Sequence, residues 1–336
     1  MTTISVLVPT RNRASLLEKA VHSALSQTVP DLEVVIADNA STDETERTAR
    51  ALASSDTRVR YIRRPLDIGL FANWDSLLHE HARGRYAMLL PDDDRIIDTG
   101  FLLTATTFMH QHQLVALFAP PCFEDVQGHM NTVDFPVPEL PSVSWWQDNL
   151  GRRFSGVDLF PSFATVFDVN HARAIQAYRP GVFGLDYEFY LRLIISGPTG
   201  YLHGNYFVGL EHPGNDSRRS EMPRIVAGLD IFDRIVKFAD AQGLDADKWS
   251  ATCSRLRAIF VRKLLLPVWI SSGARPRLLR LYRLLRSRDA SAARHLYQDS
   301  TTIAELLLRR TPGLRSRLRR VRRRRRVHAV PPIPSS

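Results

Sequence analysis

The chain is short of several things. It has two cysteines, Cys122 and Cys253, in 336 residues, too few for a disulfide framework and too far apart for metal-ligand spacing. No run approaches the roughly 18 uninterrupted apolar residues of a spanning helix. The best stretch, 256–270, carries Arg257, Arg262, Lys263 and Pro267. The first residues lack the basic, apolar and small-residue order of a secretory signal. These absences predict a cytoplasmic protein without a spanning helix. Glycine is missing where two large enzyme classes need it. The first turn, Pro9-Thr10-Arg11-Asn12-Arg13, holds no Gly-x-Gly-x-x-Gly, and no Gly-x-x-x-x-Gly-Lys-Ser/Thr occurs anywhere. Hydride transfer and P-loop hydrolysis therefore lose their main sequence support.

Acid is missing from the C-terminal end. Residues 306–336 hold eleven arginines and no Asp or Glu; the remaining 34 basic residues face 35 acids, so residues 1–305 sum to −1. The formal charge of +10 thus belongs to a tail, and the body is near neutral. A nucleic-acid enzyme more often carries its charge on the body, so no specific nucleic-acid partner is expected.

The body contains 44% hydrophobic and 24% charged residues, an ordinary globular balance, and its length suits one large α/β domain with an appendage. Apolar runs at Ile4–Val8, Leu32–Ala37, Val59–Arg63, Tyr86–Leu90 and Leu114–Phe118 read as strands. Helical spacing falls between them, over 15–26, from a Ser41/Glu44 capping box to about 53, over 70–82 and over 98–113. This alternation predicts a mostly parallel sheet with crossover helices. Residues 119–161, with Pro120, Pro121, Pro136, Pro138, Pro141 and Trp145-Trp146, read as an irregular insertion whose aromatics stack on a sugar or form a local core. Ala164–Val169 reads as a strand, Asn170 as a helix cap, 186–195 as a helix and Tyr201–Leu210 as the last strand. From Met222 to about 310 the pattern is helical, with breaks at Gly243, Pro267–Pro276 and near Asp289.

The central strand ends in Pro91-Asp92-Asp93-Asp94. Three adjacent carboxylates repel one another unless a cation or hydrogen-bond donors offset the charge. In open α/β sheets ligands bind beyond the carboxyl ends of the strands, and a hard divalent cation takes oxygen ligands. The plainer reading is a solvated acidic turn.

Several segments follow in a fixed order: Ser5-Val6-Leu7-Val8-Pro9-Thr10-Arg11-Asn12, Glu33 to Asp43, Asp67-Ile68-Gly69 with Asn73, Gly84-Arg85-Tyr86 into Pro91-Asp92-Asp93-Asp94, Leu185 to Leu193, and Leu210-Glu211-His212-Pro213-Gly214-Asn215-Asp216-Ser217. Together, over roughly residues 3–218, they resemble glycosyltransferase family 2, inverting enzymes of the GT-A fold that use nucleotide-diphosphate sugars. The resemblance implies a GT-A type, Rossmann-like sheet with flanking helices. It implies a catalytic domain over 1–218; beyond it the sequence pattern alone gives a helical region over 219–308 and an Arg-rich tail over 309–336.

By the same resemblance Pro9, Thr10, Arg11, Asp38, Asn39 and Asp92 are nucleotide-binding candidates. Asp93 is the principal metal ligand, His212 completes the metal or diphosphate site, and Asp186 is the general base. Asn39 stands where the family often has a second acid, Pro91 where it usually has the first acid of its metal motif, and Leu185 where it commonly has Glu. Asp186 also suits a helix N-cap. Glu188, two residues further on a helix, faces away from it. The expected cofactor is Mn²⁺ or Mg²⁺. The expected partners are a nucleotide-diphosphate sugar, a hydroxyl acceptor such as a lipid-linked glycan, and an anionic membrane surface met by residues 309–326 at the inner face of the plasma membrane. Two rivals remain: a decayed nucleotide-sugar- or anion-binding protein anchored by its tail, and a nucleotidyltransferase, which needs a glycine-rich phosphate loop absent from 9–13.

Overall fold

The computed structural model describes residues 3–132, 142–143, 153–154, 157–158, 164–178, 185–212, 222–268 and 282–298. The Trp145-Trp146 pair, the segment Pro213–Ser217 and the arginine tail lie outside the described residues. The chain divides into two compact units, Met1–Leu256 and Arg257–Ser336. The first includes the helix Met222–Ala241.

The first unit is built on β1 (Ile4–Thr10) and β2 (Leu32–Asp38), whose residues are all buried. Buried on both faces, they read as continuous apolar runs rather than alternating ones. The main sheet has the order β3-β2-β1-β4-β12-β6-β13-β9. Here β3 is Val59–Arg63, β4 Tyr86–Leu89, β6 Ala116–Ala119, β9 Ser142–Val143, β12 Ala164–Asp168 and β13 Thr199–Tyr201. Strands β3, β2, β1 and β4 run parallel, and β12 runs against both β4 and β6. The sheet is thus largely parallel with flanking helices, as the alternation predicts. Helices α1 (Ala14–Leu25) and α4 (Phe101–His112) bury Leu17, Val21, Phe101, Leu102 and Met109 among the residues packed with Val6, Val34 and Met88.

A smaller sheet, in the order β5-β14-β7-β8, joins Arg95–Ile96, Phe207–Glu211, Pro121–Asp125 and Met130–Thr132. It corrects two expectations. The start of the 119–161 insertion is a hairpin, not irregular chain. The single strand expected over 201–210 is two strands in different sheets, parted by a turn in which Gly204 has φ 146°.

Two caps also differ. Helix α2 (Thr45–Ser55) begins without a side-chain cap, because Ser41 Oγ accepts from the Asn12 N–H at 2.9 Å. The short helix Val169–Ala174 is capped by Asp168, not Asn170: its Oδ1 accepts from the His171 N–H at 2.9 Å. The expected break at Gly243, where φ is 73°, separates Met222–Ala241 from Ala246–Val268. In the second unit Asp289 caps the helix Ala290–Gln298, accepting from the Ala292 N–H at 2.8 Å, and pairs with buried Arg257. Among the described residues, no helix is long and apolar enough to cross a membrane.

Candidate active site

The parallel register brings three strand ends together. Thr10 lies opposite Asp38, Leu7 lies opposite Leu89, and the Leu90 N–H continues the ladder onto the Leu7 carbonyl at 2.9 Å. One step further, Thr10 Oγ1 donates to Asp92 Oδ2 at 2.6 Å. Pro9 lies in β1 opposite Ala37, just below this crossing.

The three acids have three environments. Burial pushes Asp92 up to about 7; the Thr10 hydrogen bond opposes this, the charge of Asp93 adds to it and that of Arg13 opposes it. Asp94 is held well above the usual carboxylate range, first by burial and then by Asp93. Its Oδ1 accepts from the Leu210 N–H at 3.0 Å and so ties the triplet to β14. Asp93 is largely buried, and its Oδ2 lies 2.9 Å from His212 Nε2 at the end of β14.

That last pair fits a divalent cation. The 2.9 Å separation is that of an ordinary hydrogen bond, and it is also close to the roughly 3.0 Å between neighbouring ligand atoms about 2.1 Å from an octahedral cation. The same Nε2 is also 3.3 Å from Arg13 Nη1. A guanidinium only donates and an ionised carboxylate only accepts, so one ring nitrogen cannot satisfy both. A cation between imidazole and carboxylate removes the conflict. Among the described residues no group of three or more His, Cys, Asp or Glu forms a ready metal cage. Two protein ligands suit a cation completed by substrate phosphates and water.

A second group stands beside the first. Asn39 Nδ2 donates to Asp67 Oδ1 at 2.6 Å, its Oδ1 accepts from the Ile68 N–H at 3.0 Å, and its N–H donates to the Thr10 carbonyl at 2.9 Å. Asp67 Oδ2 pairs with Arg11 Nη1 at 2.7 Å, where both side chains are exposed to solvent. Asp38 is fully buried. Its Oδ1 accepts from the Ser41 N–H and its Oδ2 from the Tyr61 hydroxyl, each at 2.8 Å. In this state Asp38 braces the turn, and Arg11 and Asp67 carry the exposed polar atoms.

Asp186 lies in the first turn of helix Leu185–Ser196 and is half-buried. Burial, then the Asp186 charge, pushes the Tyr190 hydroxyl upward, and Asp94 adds to the effect. Tyr190 therefore lies within electrostatic reach of both Asp186 and the acid triplet. Glu188 turns away, as helical spacing predicts. It is fully buried, with Oε1 accepting from Arg192 Nε and Nη2 at 3.0 and 2.8 Å and Oε2 against Arg234 Nη2.

Thr10, Asp92, Asp93 and His212 thus meet at one point. Arg11 and Asn39 meet beside it through Asp67, while Asp186 is linked to the triplet only by the charge that both it and Asp94 exert on the Tyr190 hydroxyl. Sequence reasoning left out Arg13 and Asp67 as site residues. Asp67 had a signal: an Asp two residues before a glycine forms an Asx turn, here with the Gly69 N–H at 2.8 Å.

Comparison with known proteins bears on the family and the fold. The sequence model described as Glycosyl transferase family 2 matches residues 5–172. A GalNAc(5)-diNAcBac-PP-undecaprenol beta-1,3-glucosyltransferase from Campylobacter jejuni is 36% identical over 98 residues, covering 29% of this chain and 31% of the relative. Chondroitin synthase from Escherichia coli is 30% identical over 216 residues, covering 64% and 30%. The matches therefore span about a third of these relatives. Among solved structures, S. aureus TarS 1–349 in complex with UDP-GlcNAc superposes with a TM-score of 0.62 at 17% identity, covering 77% of this chain and 72% of TarS. The mannosyltransferase PcManGT from Pyrobaculum calidifontis, in complex with GDP-Man and Mn²⁺, gives 0.52 at 16%, covering 88% and 87%. At these identities the likeness is one of fold, the GT-A fold.

Proposed function

The chain belongs to glycosyltransferase family 2, and on that premise we propose that it transfers a sugar, with inversion, from a nucleotide-diphosphate donor to a hydroxyl acceptor in polysaccharide or glycoconjugate assembly. One observation carries the reading: the Asp93 carboxylate and the His212 imidazole converge at 2.9 Å beyond the strand end where Thr10 holds Asp92. Bound there, Mn²⁺ or Mg²⁺ supplies positive charge for the diphosphate leaving group. Asp93 and His212 are the residues that would hold it. Thr10 and Asp92 face the ribose side, while Arg11 and Asn39, joined through Asp67, line the nucleotide's edge. Pro9 lies in the strand that supports them, and Asp38 keeps the turn in shape.

Asp186 takes the proton from the acceptor hydroxyl as that oxygen attacks the anomeric carbon from the face opposite the diphosphate. The carbon–oxygen bond to the diphosphate breaks as the new glycosidic bond forms, so configuration inverts. Two relatives bear on the partners. The Campylobacter enzyme is named for an acceptor on undecaprenol diphosphate, and the TarS structure holds UDP-GlcNAc. The first supports a lipid-linked acceptor and the second a nucleotide-sugar donor, which suits a peripheral protein at the membrane's inner face.

The test is calorimetric titration with UDP, dTDP and GDP, each with and without Mn²⁺, on the wild type and on Asp93→Ala. Binding of one nucleotide that needs the metal and is lost in the variant is the expected result. If none of the three binds the wild type, the transferase reading fails and a binding role without turnover takes its place.

A further inference from the structure

Arg13 closes the first turn and opens α1. Its backbone is fixed without its side chain, since its N–H donates to Thr45 Oγ1 at 2.9 Å. The guanidinium reaches across the site, where Nη1 lies 3.3 Å from His212 Nε2, the nitrogen that also faces Asp93. Its charge also favours the ionised form of Asp92. Arg13 therefore acts on Asp92 and on the histidine of the candidate metal site.

A permanent cation beside a divalent-cation site is repelled when that site fills. The placement is favourable only if more negative charge enters than the metal neutralises. A nucleoside diphosphate brings about three negative charges against two on the metal, leaving an anionic oxygen for a guanidinium fork, which suits phosphate well. Arg11, two residues earlier, is drawn aside by Asp67 at 2.7 Å and does not share this position.

Resting on the transferase reading above, we propose that Arg13 is a diphosphate-binding residue that exchanges partners. In the free protein it holds His212 Nε2. When metal and nucleotide arrive, His212 Nε2 turns to the metal and Arg13 passes to a diphosphate oxygen, where it steadies the charge of the leaving group. His212 is thereby kept in place before the metal binds, and a charge is in reach as soon as the metal displaces it.

The experiment uses the full chain and whichever of UDP, dTDP or GDP binds the wild type, together with the matching monophosphate. Calorimetry in saturating Mn²⁺ compares wild type, Arg13→Ala, Arg13→Gln and Arg13→Lys, with circular dichroism to confirm folding. Mn²⁺ alone is titrated by electron paramagnetic resonance. We expect both neutral variants to bind the diphosphate at least tenfold more weakly and the monophosphate within about threefold of wild type. Arg13→Lys should lie between. The affinity of the neutral variants for Mn²⁺ alone should equal or exceed that of wild type, because a competing cation is gone. Unchanged diphosphate affinity in the folded variants overturns the assignment of Arg13 alone. Equal loss of mono- and diphosphate also overturns it, since that reports damage to the pocket. If the wild type binds no nucleotide, the transferase reading and this inference fall together.

Discussion

Asp92 is a carboxylate that the fold makes hard to ionise, with a folded value of about 7 against roughly 3.9 in an unfolded chain. The sign of its effect on stability follows. Between those values the folded metal-free protein keeps a proton that the unfolded chain releases. The stabilisation is complete below about pH 4 and is lost as pH rises through 7. Asp92→Asn leaves an acceptor for the Thr10 hydroxyl and removes the ionisation. In EDTA at pH 8 the variant should therefore resist urea better, by on the order of a few kcal/mol, and the gap should close near pH 4. Equal urea midpoints at both pH values would mean that Asp92 is not ionised with difficulty. Asp186 is predicted to behave differently. Asp186→Asn should keep nucleotide affinity and lose transfer by roughly 10²–10⁴-fold, the usual worth of a positioned base; wild-type turnover in the variant would reject that role. Much at this scale is legible from local order: Asp93 and His212 stand at strand ends in recognisable segments. Arg13 is not, because its partner is 199 residues away and nothing local distinguishes it from Arg11.

Elements are legible where burial alone decides them and obscure where side chains compete. The runs of β1 and β2 are fully buried, so hydropathy finds them. The Ser41 cap fails because Asn12 takes its hydroxyl, a choice made by tertiary contact. Gly84 shows the opposite case, a glycine at the entry to β4 whose necessity appears only in the packed sheet. A Cβ there would lie 2.7 Å from the Ser5 nitrogen, 2.7 Å from the Tyr86 oxygen and 2.8 Å from the Ile4 carbonyl carbon, all backbone atoms. The Gly84 N–H also donates to Ser5 Oγ at 2.8 Å, within the cluster that buried Glu33 anchors. Gly84→Ala should cost at least about 1–3 kcal/mol by overpacking, read as a lower urea midpoint. A midpoint within 0.5 kcal/mol of wild type, roughly the scatter for an unstrained surface change, would show that the strand shifts freely. Glu188 joins helix Leu185–Ser196 to helix Met222–Ala241 through Arg234. Glu188→Ala removes the buried carboxylate that pairs with Arg192 and Arg234 and should cost about 3–5 kcal/mol in the same assay.

The whole molecule is organised by a separation of charge. Residues 1–305 sum to −1 while residues 306–336 carry eleven arginines and no acid. A body of that charge has no general attraction for an anionic surface, so attraction to a membrane must come from the tail. Each basic residue near an anionic lipid surface contributes about 1 kcal/mol at moderate salt. Even a few of the eleven engaged at once would hold the protein there. Because the effect is electrostatic, it weakens as the Debye length shrinks from about 10 Å at 0.1 M salt to about 3 Å at 1 M. The intact chain should sediment with vesicles containing phosphatidylglycerol and not with purely zwitterionic ones, and 1 M salt should release it. A chain ending at residue 308 should remain in the supernatant in every case, with its nucleotide affinity unchanged because the site residues all precede residue 213. Equal sedimentation of the two chains would place any membrane contact on the body, and the exposed side chains Leu66, Ile68 and Leu70 beside Arg63 and Arg64 would then be the surface to mutate next.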